Sequence, residues 1–399
     1  MPKFTILQTL IDRLNLVSRE ILTGIPVIRA FSREKHEEDR FEKANLDLTK
    51  TNLFVNRCMT FMMPIMMLIM NGVSVLIIYS GAHAVDNGTM QVGNVMAFIQ
   101  YAMQIIMSFL MITAMSIMLP RANVAALRID EVLKTEVSIQ DPETPVHPSE
   151  SVKGEIEFDH VSFAYPEAGE NVLTDISFKA KKGQTIAVIG STGSGKSTLI
   201  NLIPRYYDVT KGSVKVDGVD VRDMTQKELR DKLGYVPQKG VLFSGTIDSN
   251  IRYGKPEITD AQVKEAAEVA QATEFIDTKP EKYKSPVSQG GTNVSGGQKQ
   301  RLSIARAIAK DPEIFIFDDS FSALDFKTDS QLRKALKEYT KDATTVIVAQ
   351  RISTILGADQ IIVLDDGHMA GIGTHKELMA NCEVYQQIAR SQLSEEELA

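Results

Sequence analysis

The chain has 399 residues, a formal net charge of −7, an apolar content of 43% and a charged content of 24%. This length is typical of two or three domains, and the composition is that of a folded protein rather than a disordered one. The negative charge argues against a nucleic-acid partner, because such binders neutralise phosphates. Cys58 and Cys382 lack metal-ligand spacing and indicate free thiols in a reducing compartment. Charges among the first twenty residues predict that no signal peptide begins the chain.

The first segment, residues 1–56, is predicted to be a cytosolic helical extension. Apolar residues recur at helical spacing from Leu10 to Ile21, and the charges alternate in sign over residues 33–43 as they do in a solvated helix. Gly24 and Pro26 predict a break within this helix.

Residues 57–120 are predicted to form a transmembrane hairpin. No Asp, Glu, Lys or Arg occurs over residues 58–85 or over residues 87–120. Each run is long enough for a bilayer core, which needs about 20 apolar residues. The alternative is a pair of buried helices in a soluble protein, which two adjacent charge-free runs of this length disfavour. The turn between the spans is predicted to begin at Asp86.

The residues that flank and interrupt these spans predict their surroundings. Arg57 precedes the first span, and Arg121 and Arg128 follow the second, so the positive-inside rule places both chain ends in the cytoplasm. Methionines are dense in both spans and serve either as packing residues or as a flexible surface that accepts several substrate shapes. Polar side chains in the second span should face other helices or a water-filled path: Gln100, Tyr101, Gln104, Ser108, Thr113 and Ser116.

Residues 121–153 are predicted to be a helical extension and a proline-containing linker. From residue 154 to residue 394, short β-branched runs alternate with helical segments, which predicts an α/β domain with a largely parallel sheet. The predicted strands cover residues 155–158, 185–189, 314–317, 345–348 and 360–364.

The strongest chemical signal is a glycine-rich run that follows one predicted strand and opens a helix. Such glycines let backbone amides converge on phosphate oxygens, and the helix N-terminus adds its positive dipole end. Lys196 is placed to contact the β and γ phosphates, and Ser197 to ligate Mg²⁺. A second apolar strand ends in Asp318, where a P-loop protein holds the magnesium shell. The run therefore predicts a site for ATP and Mg²⁺ at Gly190, Ser191, Thr192, Gly193, Ser194, Gly195, Lys196, Ser197 and Thr198.

Between these motifs, Asn293-Val-Ser-Gly-Gly-Gln298 precedes a basic helix. Alone, it could be a helix N-cap with a glycine turn, but it resembles the signature loop of the ATP-binding cassette (ABC) family. Three further motifs are similar to family elements. Phe163-Ala-Tyr-Pro166 resembles the aromatic loop, Tyr235-Val-Pro-Gln238 the glutamine loop, and Ser322-Ala-Leu-Asp325 the loop that crosses between two nucleotide domains.

This resemblance implies roles for the matching residues. Tyr165 would stack on adenine, and Gln238 would sense the magnesium ion, as a ligand or near it, and the transmembrane part. In the family, two nucleotide domains pair head to tail, and each site joins one phosphate loop to the other domain's signature. The residues implied to contact nucleotide across that interface are Ser295, Gly296, Gly297, Gln298 and Asp325.

The segment from Arg19 to Phe31 resembles the exporter segment after the fourth transmembrane helix, which carries a coupling helix. The two spans would then be the fifth and sixth helices of a subunit with six, so that four helices would precede them. The expected fold is a membrane segment of two transmembrane helices with cytosolic extensions, followed by an α/β P-loop cassette domain with a helical subdomain. The expected setting is multi-pass, in the plasma membrane, with the nucleotide domain in the cytoplasm.

Departures from the family pattern concern hydrolysis. Active subunits carry glutamate after the magnesium aspartate, where this chain has Asp319, and a switch histidine, where it has Gln350. Gln289 also departs from a frequent glutamate in a loop that contacts the transmembrane part. The catalytic set implied by the resemblance is Lys196, Gln238, Asp319 and Gln350, with weakened turnover.

The intact signature loop predicts a partner, a second exporter half-subunit in a heterodimer. Two other classes remain as alternatives: a regulatory or structural ATP-binding subunit with little turnover, and a soluble ATPase of DNA repair or translation. The predicted membrane hairpin disfavours the soluble class. The spans are compatible with export of a small molecule, a lipid or a peptide, and the sequence ranks none of these.

Overall fold

The computed structural model describes residues 2–149, 151–166 and 168–393. The side chains of residues 2–5, 113, 114, 116, 117, 120 and 121 lie outside this description, including the predicted polar contacts of Thr113 and Ser116 and the flanking charge of Arg121. The chain divides into two compact units, Met1–Glu136 and Val137–Ala399.

The first unit is helical where it is described. It contains α1 (Pro2–Ala30), α2 (Glu34–Asp86) and α3 (Val92–Leu133). The break predicted at Gly24 and Pro26 is wrong, because α1 continues through both residues. A proline removes one hydrogen bond from the ladder, which a long helix can absorb. The chain turns instead after Ala30, where Ser32 adopts a positive φ of 52° that no α-helix accommodates.

In the described part of this unit, two helices are long and apolar enough to cross a membrane, judged by length and composition. The apolar windows in α2 and in residues Val92–Ile112 of α3 have mean hydropathies of 2.2 and 1.9, and no residue of either window is buried against other described residues. The predicted turn is confirmed: the amide of Asn87 donates to the carbonyl of His83 (3.1 Å) just after α2 ends. Each helix extends beyond its span, so the membrane segments and their polar extensions are continuous.

The described residues of the second unit form two main sheets and one short strand pair. A six-stranded sheet has the order β12-β11-β3-β10-β9-β6, in which every neighbouring pair is parallel except β11 and β12. A four-stranded antiparallel sheet has the order β2-β1-β4-β5, and β7 pairs with β8. The strands are β1 (Ile156–Phe163), β2 (Leu173–Ala180), β3 (Thr185–Gly190), β4 (Lys211–Val216), β5 (Val219–Asp220), β6 (Leu233–Val236), β7 (Gly245–Thr246), β8 (Pro286–Val287), β9 (Ile314–Asp318), β10 (Thr344–Val348), β11 (Gln360–Asp365) and β12 (His368–Gly373).

The helices of this unit cover the parallel sheet and form a helical subdomain. Apolar residues of α6, α7, α8 and α9 share one core with the sheet residues Phe315 and Phe317. The helices are α4 (Lys196–Leu202), α5 (Gln226–Asp231), α6 (Ile247–Ile251), α7 (Asp260–Val269), α8 (Thr273–Asp277), α9 (Gly296–Ala309), α10 (Phe326–Tyr339), α11 (Ile352–Ile355), α12 (His375–Asn381) and α13 (Glu383–Gln392).

The predicted parallel sheet is confirmed for the strands at residues 185, 314, 345 and 360. The strand predicted from residue 155 lies elsewhere: β1 pairs antiparallel with β2 and β4. In the parallel sheet, register places Val348 opposite Asp318, next to the end of β3 at Gly190. Ligands of open α/β sheets bind at this carboxyl edge, and the phosphate loop, Gln238 and Asp318 lie there.

Candidate nucleotide-binding site

A cleft of about 270 Å³ lies at the carboxyl edge of the parallel sheet. It is lined by the phosphate loop, by the ends of β9 and β10, and by the loop after β6. The lining residues are Val172, Thr192, Gly193, Gly195, Lys196, Ser197, Thr198, Gln238, Asp318, Asp319, Val348 and Gln350. The structure thus brings together in one cleft the predicted metal and catalytic positions and most of the predicted phosphate loop. Gly190, Ser191 and Ser194 belong to that loop but are not among the lining residues.

The phosphate loop connects β3 to α4 through a tight turn. Gly195 has a φ of 95° at the N-cap of α4, a conformation that favours glycine. A Cβ on Gly190 would lie 2.1 Å from the carbonyl oxygen of Leu364, because the loop passes against the end of β11. These contacts explain why the loop needs glycine at both positions.

We expect Gly195→Ala to distort this loop and to weaken nucleotide binding by about tenfold. The new Cβ would lie 2.8 Å from Cδ2 of Leu173, and a left-handed backbone costs a residue with a Cβ about 1–2 kcal/mol. Titration with a fluorescent ATP analogue measures the change. Gly169→Ala is the matched control, since no described atom beyond its chain neighbours lies within 4 Å of its added Cβ. Equal affinity for both variants would contradict the prediction.

Lys196 lies folded over the loop. Its Nζ donates to the carbonyl oxygens of Gly190 (2.9 Å) and Ser191 (2.7 Å). Burial lowers the pKa of Lys196, while the nearby carboxylates of Asp319 and Asp318 act to raise it. The half-buried ammonium is therefore a cation beside the phosphate loop, where an anionic ligand would stabilise it.

Ser197 and Asp318 form the candidate magnesium pair. The Ser197 hydroxyl donates to Oδ1 of Asp318 (3.0 Å), and only 6% of Asp318 is exposed. Burial raises the pKa of this carboxyl, and the hydrogen bond from Ser197 acts to lower it. Among the described residues, no three His, Cys, Asp or Glu side chains cluster as a complete metal site. One carboxylate beside a hydroxyl is a donor set that suits Mg²⁺, which usually takes one or two carboxylates together with substrate phosphates and waters.

Asp319 is held by two amide side chains. Its Oδ2 accepts hydrogen bonds from Nε2 of Gln350 (2.7 Å) and Nε2 of Gln238 (3.2 Å). The residue is 7% exposed and has a φ of 45°, in a region that non-glycine residues rarely adopt. Its backbone amide donates to the carbonyl of Val348 (3.0 Å). Sequence reasoning identified all three side chains but not their shared hydrogen bonds.

Tyr165 lies beside the helix that follows the phosphate loop. Its hydroxyl is 3.0 Å from Oγ1 of Thr198, and its ring packs edge-on against Phe163 and Tyr207, with centroids 4.9 Å and 5.1 Å away. Tyr207 and the cleft residue Val172 were missed by sequence reasoning, because neither belongs to a motif. Adenine stacking on Tyr165 remains a prediction.

The signature residues occupy a different surface. Ser295 caps α9: its hydroxyl accepts from the amide of Gln298, and its own amide donates to Oε1 of Gln298. Asp325 caps α10 by accepting from the amide of Thr328 (3.0 Å), a bond that lowers the pKa of its carboxyl. Ser295, Gly296 and Asp325 are exposed. Among the described residues that line the cleft, none belongs to the signature or to the loop that ends at Asp325.

A phosphate loop, a metal-site carboxylate and a separate capped signature helix define this unit as a P-loop ATP-binding domain of the cassette type. The model for the ABC transporter family matches residues 173–322, and the model for the ABC transporter transmembrane region matches residues 4–109. The chain belongs to the ABC transporter family, as an exporter-type subunit that fuses a transmembrane region to an ATP-binding domain.

Several known proteins resemble it over most of its length. An uncharacterized ABC transporter ATP-binding protein of Mycobacterium tuberculosis is 46% identical over 395 residues, which cover 98% of this chain and 68% of the relative. The Bacillus subtilis protein YgaD, whose name describes multidrug export, is 39% identical over 362 residues, which cover 90% of this chain and 62% of YgaD. The structure of a bacterial Atm1-family ABC exporter with ATP bound has a TM-score of 0.83 and 28% identity, and covers 99% of this chain and 70% of that chain.

Proposed function

We propose that this exporter subunit binds Mg-ATP at its own phosphate loop with slow turnover, while its signature loop completes the competent site of a different half-subunit. The observation that carries the proposal is the hydrogen bonding of Asp319. The Asp319 side chain is one methylene shorter than a glutamate, and its Oδ2 accepts hydrogen bonds from both Gln350 and Gln238.

Two physical effects slow hydrolysis in this arrangement. An aspartate places its carboxylate about 1.5 Å short of a glutamate's, and a misplacement near 1 Å can lower a rate about a hundredfold. Gln350 can hydrogen-bond a γ phosphate, but it carries no titrating positive charge as a histidine does. The lone pairs of Asp319 Oδ2 are already engaged by two amides, which leaves this oxygen poorly placed to orient an attacking water.

The exposed signature supports the partner role. Ser295 and Gly296 are available at the surface of the domain, at the N-terminus of α9, where backbone amides favour a phosphate. Phe326, directly after Asp325, is 79% exposed, as an apolar residue at an interface with a second nucleotide domain would be in the separate chain. The partner is thus expected to carry both a glutamate and a histidine at the positions of Asp319 and Gln350.

The transport cycle follows alternating access. ATP binding closes the two nucleotide domains, the coupling segment between Arg19 and Phe31 transmits the closure to the helices, and hydrolysis at the competent site reopens them.

The membrane part is multi-pass in the plasma membrane, with the nucleotide domain and both chain ends cytoplasmic. The substrate is a drug-like small molecule, a lipid or a peptide; the multidrug names of relatives such as YgaD favour the first.

The test compares ATPase activity of the chain alone with that of the chain co-expressed with the half-transporter from the adjacent coding sequence. We expect slow hydrolysis alone and brisk hydrolysis in the pair. In the pair, Ser295→Ala should lower the rate more than Asp319→Asn does, because Ser295 serves the partner's site. Brisk hydrolysis by the chain alone, abolished by Asp319→Asn, would refute the assignment.

A second candidate is a regulatory or structural subunit, in which ATP holds a dimer together without turnover. The doubly bonded Asp319 also favours this function. A pair that binds Mg-ATP but shows no ATPase activity above background would select it.

A further inference from the structure

A second cavity, of about 390 Å³, lies in the ATP-binding unit between α10, α11 and the parallel sheet. Its floor includes Phe317 of β9 and Ile347 of β10. Each is followed in the chain by a residue that lines the nucleotide cleft, Asp318 and Val348 respectively. Because successive side chains of a strand point to opposite faces, the two sites lie back to back on the same strands, and they share no described lining residue.

The walls of this cavity combine apolar surface with positive charge. Leu336 and Ile355 contribute apolar side chains, and Arg333, Lys334 and Lys337 contribute three cations along α10. No aspartate or glutamate is among the described lining residues. Lys334 and Lys337 are exposed and form no ion pair within the described part of the chain. Such a lining is complementary to a ligand with an apolar body and a negative group.

Two residues of the cavity wall also carry polar atoms without a partner in the described part of the chain. Oγ1 of Thr345 has no hydrogen-bond partner there, although the residue is only 5% exposed. Arg333 is fixed between the two helices: Nη1 donates to the carbonyl of Ser353 (2.7 Å) and Nη2 pairs with Asp329 (3.0 Å), while its Nε has no partner among the described residues. A buried polar group without a partner costs free energy, which a bound acceptor would offset.

We propose that this cavity is a binding site for a small organic anion with an apolar body, of the aromatic carboxylate class, separate from the nucleotide site. The ring lies on Phe317 and Ile347, the carboxylate faces Lys334 and Lys337, and an oxygen accepts from the Thr345 hydroxyl. The volume falls within the range of about 300–1,000 Å³ found for small-molecule sites.

The test uses the whole chain in lipid nanodiscs with excess Mg-ATP, and 1-naphthoate as the probe, followed by saturation-transfer NMR. We expect millimolar or tighter binding of 1-naphthoate, and about tenfold weaker binding of the neutral 1-naphthamide, which lacks the charge-assisted bonds. Lys334→Gln with Lys337→Gln should weaken naphthoate binding about tenfold. The control is the double variant Lys264→Gln with Lys376→Gln. Both lysines are exposed and lie outside the cavity, so naphthoate binding should be unchanged.

Thr345→Val provides an independent arm. It removes the unpartnered hydroxyl while nearly conserving volume, so naphthoate binding should weaken about threefold to tenfold without a lower melting temperature. Equal binding of naphthoate and naphthamide, undiminished binding after loss of both lysines, or no binding at millimolar naphthoate would overturn the proposal. The last result would mean that the cavity holds only water.

Discussion

Lys196→Ala is expected to lower the affinity of this chain for Mg-ATP by about a hundredfold or more. The ammonium is the cation that lies over the phosphate loop, donating to the carbonyls of Gly190 and Ser191 at 2.9 Å and 2.7 Å. It is half-buried, and burial lowers its pKa, so that a triphosphate in the cleft would meet it with little competing water. Equilibrium binding of a fluorescent ATP analogue, with and without Mg²⁺, measures the loss.

The control for this prediction is Lys182→Ala, which replaces an exposed lysine before β3, outside the cleft. This variant should bind the ATP analogue with the affinity and the magnesium dependence of the parent chain. Chelation of Mg²⁺ should weaken binding to the parent chain, since Ser197 and Asp318 are paired where the metal is expected. If Lys196→Ala bound the ATP analogue as tightly as the parent chain and without dependence on Mg²⁺, the proposed ATP-driven cycle would have no basis.

The parts of the site that could be predicted are those in which residues close together in the sequence form the binding surface. The phosphate loop and Asp318 were identified because a strand, a loop and a helix of fixed spacing create a phosphate cradle, whatever the rest of the fold. The bonds of Asp319 were not predictable in the same way. Gln238 and Gln350 reach it from 81 and 31 positions away in the chain, and only the parallel register of β6, β9 and β10 brings them together.

The wrong predictions about the fold also concern features that are not encoded locally. Gly24 and Pro26 each disfavour a helix at their own position, but α1 continues past both residues. The chain turns at Ser32, whose residue type gives no strong signal. The run that became β1 has the short apolar pattern of the other strands, yet it joins the antiparallel sheet through partners that lie later in the chain. Periodicity predicts that a strand exists; it does not predict which sheet the strand joins.

Asp319→Glu combined with Gln350→His is expected to raise hydrolysis at this chain's own site by about tenfold to a hundredfold. The glutamate extends the carboxylate into the cleft, and the histidine supplies a group that can carry charge toward the γ phosphate. The effect should exceed the product of the two single effects. Gln350 and Asp319 are joined by a 2.7 Å hydrogen bond, and residues in direct contact are rarely additive.

The measurement is steady-state ATPase activity of the proposed pair of half-subunits. The catalytic carboxylate expected in the second half-subunit is replaced by an amide so that only this site turns over. A histidine titrates near pH 6.5, so the double variant should also acquire a pH dependence near neutrality that the parent lacks. Asp365→Glu, which extends an exposed acid at the end of β11, is the matched control and should change nothing. If the parent already turns over as fast as the double variant, then Asp319 and Gln350 are competent as they stand. The proposed asymmetry between two half-subunits would then have no chemical basis in this cleft.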